Sequence, residues 1–136
     1  MSEENEAAVR AAYEAYGRGE VNRLLDLVHP DLEWTYLDPS CEDPQPQVCH
    51  GREELARALG QQAGQGIVSE VEEIASSADK VMVAVRTPGA DQRRAWQADD
   101  HSYLVLTLGQ GRIIAMRDFR DRDEARSFAG LGPEMR

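Results

Sequence analysis

The feature that most constrains this chain is the stretch 101–121, HSYLVLTLGQGRIIAMRDFRD. Two runs rich in Val, Ile, Leu and Tyr flank Gly109-Gln110-Gly111, a pattern that predicts an antiparallel hairpin whose tight loop uses glycine to reach positive φ. Strand side chains alternate, so Ile114, Met116, Asp118 and Arg120 are expected on one face of the second strand. By the same rule His101, Tyr103, Val105 and Thr107 share one face of the first. If those two faces coincide, a His, a Tyr and an Asp stand together among apolar neighbours on the floor of a ligand pocket. A carboxyl group there tends toward its neutral form unless Arg86 or His101 supplies a positive charge. Neutral, it can donate a proton; ionised beside His101, it forms a dyad in which the imidazole shuttles one near neutral pH.

The rest of the chain supplies the frame. Val9, Ala12, Tyr13 and Tyr16 recur at helical spacing within residues 3–16, with acids in the first turn and Gly17 and Gly19 after it, so a first helix is expected there. Val21, Leu24, Leu25 and Val28 repeat the spacing in a shorter second helix that Pro30 closes. From Asp31 the period becomes two. Leu32, Trp34 and Tyr36 alternate with polar residues, which predicts a half-buried strand as far as Asp38-Pro39. Residues 39–51 hold three prolines and read as a long irregular loop, and residues 52–62 as a third helix. Then come a blurred strand over 67–75, a clear one over 80–86 (KVMVAVR), and a 93–99 segment that leads into the strand at 101–108. A short terminal helix capped by Asp121 ends at Gly130 and Gly132. Helices early and strands massed late predict one α+β domain over 1–136, with helices on one face of a curved antiparallel sheet.

Composition narrows the function. With 25 acidic and 15 basic residues the formal net charge is −10, which disfavours nucleic acid and anionic membranes as partners. No apolar run approaches the roughly 20 residues of a membrane span, and the acidic start MSEENEAA is unlike a secretory signal, so a cytoplasmic location is expected. Cys41 and Cys49 are expected as free thiols, and their spacing with His50 does not suit zinc. No phosphate loop, nucleophile elbow or metal motif is present in the sequence. Chemistry without a cofactor or metal is the expectation, with Trp34, Tyr36 and Tyr103 as flat walls for an aromatic or alicyclic ligand.

The helical hairpin, the GRGE turn, the strand after HPDLEW, the Gly-Arg-Glu-Glu helix start at 51–54 and GQGRIIAMRDFRD together resemble the SnoaL-like and ketosteroid-isomerase-like branch of the nuclear transport factor two-like superfamily. The resemblance spans nearly the whole chain. It implies a cystatin-like roll, a cone formed by a curved antiparallel sheet and three helices from the N-terminal half, with a pocket inside and a short C-terminal helix. It also implies a homodimer through the sheet's outer face. Carried over residue by residue, the isomerase pattern puts its helix tyrosine at Ala12, with Tyr13 turned about 100° away. Its base aspartate falls at Tyr36, or at Asp38 with a gap, and its protonated aspartate at Tyr103 or Asp100. The epoxide hydrolase pattern matches Arg86 and Asp118, but its second aspartate is Pro88 here. The cyclase pattern, a His near the start of the penultimate strand and an acid on the last, is met by His101 and Asp118.

The sequence thus points to a cofactor-independent isomerase, cyclase, dehydratase or hydrolase acting on a small, mostly apolar cyclic or aromatic molecule. Asp118 is the expected acid/base, His101 its proton partner, and Arg86 and Tyr103 the orienters of a substrate oxygen. Trp34, Tyr36, Met116 and Ile114 complete the wall. The alternative is a noncatalytic binding or accessory dimer using the same pocket.

Overall fold

The computed structural model describes residues 2–37, 45–64, 70–88 and 100–131. In chain order it contains α1 (Ser2–Gly17), α2 (Val21–Leu27), β1 (Val28–Tyr36), β2 (Gln47–His50), α3 (Arg52–Gly64), β3 (Glu70–Ser77), β4 (Lys80–Arg86), β5 (His101–Gly109), β6 (Arg112–Phe119) and α4 (Arg122–Phe128). Asp38, Cys41, the start of the 67–75 strand, the 93–99 segment with Trp96, and Gly132 lie outside the described residues. Among the described residues no helix is long and apolar enough to cross a membrane.

The six strands form one curved sheet in the order β2-β1-β6-β5-β4-β3. All neighbours are antiparallel except β1 and β6, which run parallel. The sheet is therefore mixed rather than wholly antiparallel. The first and last strands meet across most of the chain, so no tight turn dictates their relative direction. Other elements also differ from expectation, β3 among them, which runs on to Ser77. β1 starts at Val28 and takes in Pro30, at a point where the β1–β6 register shifts between Val28 and Glu33. A strand tolerates proline there because the ladder is already interrupted. Residues 47–50, expected as loop, instead form β2, a short exposed edge strand paired with β1.

The middle of the sheet is covered on both faces. On the inner face Leu32, Val81, Val83, Leu106 and Ile113 meet Val9, Tyr13 and Tyr16 of α1, Leu24 of α2 and Leu55 of α3 in one core. On the outer face Met82, Ala84 and Val105 lie under Ala125 and the following Ala129. Coverage on both sides explains why KVMVAVR reads as an apolar run without alternation: residues 81–85 are all buried. α4 is capped and tethered at its N-terminal end. Asp121 accepts a hydrogen bond from the Glu124 amide at 3.2 Å, the expected cap. Arg122 donates twice to Glu73, at 2.8 and 2.6 Å. Part of the face expected to meet a second copy is thus covered by the chain's own helix.

The β5–β6 loop is the expected hairpin, with Gly109 paired to Arg112. Gln110 and Gly111 both have positive φ, +55° and +79°. Asparagine tolerates that conformation better than glutamine, and Asn-Gly is the favoured pair for such a turn. Gln110→Asn is therefore expected to raise unfolding free energy by about 0.5–1 kcal/mol. Urea denaturation would show this as a higher midpoint at unchanged slope; a lower midpoint would contradict the turn geometry.

Candidate active site

The open end of the cone holds a hollow between α1, α2, α3 and the inner sheet face. Its walls are apolar: Leu24, Leu55, Ala58, Leu59, Val85 and Met116. Polar atoms reach it from Tyr13 and Tyr16 on α1, Trp34 on β1, Thr87 just after β4, Ser102 on β5 and Asp118 on β6. Asp118 is the one carboxylate among the described lining residues.

Register explains why Asp118 points inward. It stands opposite Leu104, and Met116 stands opposite Leu106, whose side chain is fully buried in the core. On the other flank Trp34 is level with Met116 through the parallel β1–β6 pairing. The Trp34 Nε1–H donates to Asp118 Oδ1 over a long 3.4 Å, a weak tether at that length.

The two α1 tyrosines face the same space. Their rings meet edge to face, with centroids 6.4 Å apart and planes at 87°. Burial pushes the Tyr13 phenol well above its ordinary value of 10.0, and the nearby charges of Asp118 and Tyr16 push it further the same way. Tyr13 therefore remains an O–H donor throughout the neutral range. For stability the sign follows from proton linkage: above pH 10 the unfolded chain loses the phenolic proton while the folded one keeps it. The wild-type protein should therefore lose stability as pH rises from about 10. Tyr13→Phe should flatten that decline, as read from urea midpoints between pH 8 and 11. An equal alkaline decline in both proteins would place the cause elsewhere.

The structure does not bring His101 and Asp118 together. The β5–β6 register sets Asp118 level with Leu104, so the odd-numbered residues of β5 lie on the opposite face. There His101 Nε2 contacts Glu72 Oε1 at 2.8 Å and its Nδ1 lies 3.4 Å from Asp100 Oδ1. Arg86, opposite His101 on β4, donates from Nε to Asp100 Oδ2 at 2.8 Å. These four residues form a half-exposed charged cluster apart from the hollow's lining. Tyr103 borders the hollow but also packs against the outer-face cluster of Met82, Ala84 and Val105.

Ile114 leaves the wall for a different reason. β6 carries one extra residue between the pairs Thr107–Ala115 and Leu108–Ile113. This bulge breaks the alternation, so Ile113 is buried inward while Ile114 is 39% exposed. Ile114 Cδ1 sits 3.2 Å from where a Cβ on Gly109 would be, so Gly109 serves to make room rather than to reach positive φ. Tyr36 packs on Trp34 with ring centroids 5.3 Å apart, and its hydroxyl donates to Gln47 Oε1 at 3.0 Å. It ties β2 to β1 beside the hollow.

Tyr13, Tyr16, Thr87 and Ser102 are polar lining residues that sequence reasoning did not select. The available signal was two tyrosines on an otherwise apolar helix stripe, because a buried tyrosine hydroxyl calls for a partner. Among the described residues no group of three or more His, Cys, Asp or Glu is placed to hold a metal ion.

Comparison with known proteins agrees with this architecture. A profile of the SnoaL-like domain matches residues 9–116. No curated protein matches by sequence. Among solved structures, Bal32a from a soil-derived mobile gene cassette superposes with a TM-score of 0.68 at 19% identity, over 97% of this chain and 98% of that one. A candidate SnoaL-like polyketide cyclase from Jannaschia sp. gives 0.62 at 19% identity, over 98% and 96%. A candidate ketosteroid isomerase from Kribbella flavida gives 0.63 at 17%, over 89% and 80%. At such identities these likenesses speak for the fold.

Proposed function

We propose, from the premise that this chain belongs to the SnoaL-like domain family, that its hollow carries out proton-transfer chemistry on a small, mostly apolar carbonyl compound. The observation that carries this reading is a carboxylate, Asp118, and a phenol held protonated, Tyr13, facing one apolar space. A carbonyl oxygen accepting a hydrogen bond from Tyr13 would have its adjacent C–H acidified, and the tyrosine would stabilise the enolate oxygen as charge develops there. Asp118 would take the proton and return it at the same or a neighbouring atom. Isomerisation, cyclisation by an internal attack, and dehydration share the proton abstraction and differ in whether Asp118 returns the proton to carbon, to the new alkoxide or to the departing hydroxyl. In this reading Tyr13 replaces Arg86 and Tyr103 as orienter, and Asp118 works without His101.

One observation favours the alternative of a binding protein without turnover. Tyr36, at the position that the isomerase resemblance gives to the base aspartate, is bonded to Gln47 and is not among the lining residues. Incubation of the protein in deuterated water with a panel of small cyclic ketones separates the two. Deuterium gained at the carbon next to the carbonyl, seen by NMR, supports catalysis. Saturable binding of the same compounds with no exchange above solvent background supports the binding protein.

A further inference from the structure

Resting on that reading, we infer that the ligand is an uncharged single-ring compound bearing one carbonyl or hydroxyl oxygen, and not a fused polycycle or a carboxylic acid. Size is the first argument. The hollow offers about 90 Å³ to water-sized molecules, within a void of about 710 Å³ that includes its open mouth. An enclosed apolar cavity of about 150 Å³ takes up benzene, so the enclosed part of the hollow has room for no more than one ring, with any substituent toward the mouth. A fused polycycle could seat one ring and would leave the others in the mouth, where they forfeit the burial that makes apolar binding favourable.

The boundary is also stiff. Leu24 and Leu55 are 1% exposed and Val85 5% exposed, each packed into the main core. Widening the hollow there means disturbing close-packed side chains, which interiors resist. Charge is the second argument. No Arg, Lys or His is among the described lining residues, and Asp118 is. A ligand carboxylate would lose its hydration to enter an apolar space with no cationic side chain in the described wall to offset it. The hydroxyl of Tyr13 suits a neutral oxygen instead.

The test is binding, read apart from turnover. 2-Cyclohexenone, its fused two-ring analogue, a four-ring steroid enone and cyclohexene carboxylate are titrated against the full chain, following Trp34 by its indole N–H resonance. 2-Cyclohexenone is expected to bind at least tenfold tighter than each of the others. Leu59→Ala, which enlarges the hollow from α3, is expected to shift the preference toward the two-ring compound, with circular dichroism checking that the fold persists. Equal or tighter binding of the steroid, no binding of the single ring, or equal binding of the carboxylate overturns the inference. The single ring bound without deuterium exchange would leave it standing while removing the catalytic reading, and exchange with polycycles alone would do the reverse.

Discussion

Asp118→Asn is expected to lower the rate of catalysed deuterium exchange by about 10²–10⁴-fold, the usual contribution of a positioned general base. The substitution keeps shape and an acceptor oxygen, so Trp34 Nε1 can still donate to residue 118 and the β5–β6 register is undisturbed. Affinity for the ketone should therefore change little while the chemical step collapses, a fall in kcat with KM nearly constant. The control is His101→Gln. His101 lies on the other face, in contact with Glu72 and Asp100, so its loss should leave the exchange rate within about twofold. Equal losses in the two variants would revive the dyad that residue spacing suggested. Full activity in Asp118→Asn would remove the carboxylate from the mechanism.

That contrast also shows where sequence is informative and where it stops. The hairpin at 101–119, the apolar stripes of α1 and α3 and the Asp121 cap are local patterns, set by neighbours a few residues apart, and each appears where its spacing put it. Side-chain direction in a sheet is a pairwise property. Whether His101 meets Asp118 depends on β5–β6 register, and one inserted residue near Ile114 is enough to spoil an alternation count made along β6. Nothing in RIIAMRD marks which residue is the extra one. The parallel pairing of β1 with β6 is invisible for a related reason, since contacts between chain ends leave no trace in either segment alone.

The helix tyrosines show the converse. The α1 spacing placed Tyr13 and Tyr16 on the buried stripe, and the structure keeps them there at 6% and 8% exposure. What spacing could not say is that this part of the stripe faces a hollow rather than packed core. Val9, one turn earlier on the same stripe, is fully buried and is not among the described lining residues of this hollow. The difference arises from what lies opposite, which is fixed only when β5, β6 and α3 come together around the open end.

Leu106→Ala is expected to destabilise the protein by about 2–5 kcal/mol, the range for truncating a buried leucine in a core that relaxes only in part. Leu106 is fully buried on β5, with Val81 and Met116 as cross-strand neighbours, and its loss opens a void with packed atoms on every side. Leu104, one inward position along the same strand, is half-buried and already borders the hollow. Truncating it enlarges a space that water can reach, so the loss should be about half as large, dominated by transfer of the removed carbons rather than by a new cavity. Urea denaturation of both variants, at a common slope, measures the difference directly. The larger loss should lower the melting temperature by on the order of ten degrees. A fold whose rigidity is concentrated in the packed middle of its sheet can keep an unfilled end for a ligand. If the two leucines cost the same, that division between packed frame and open site does not hold.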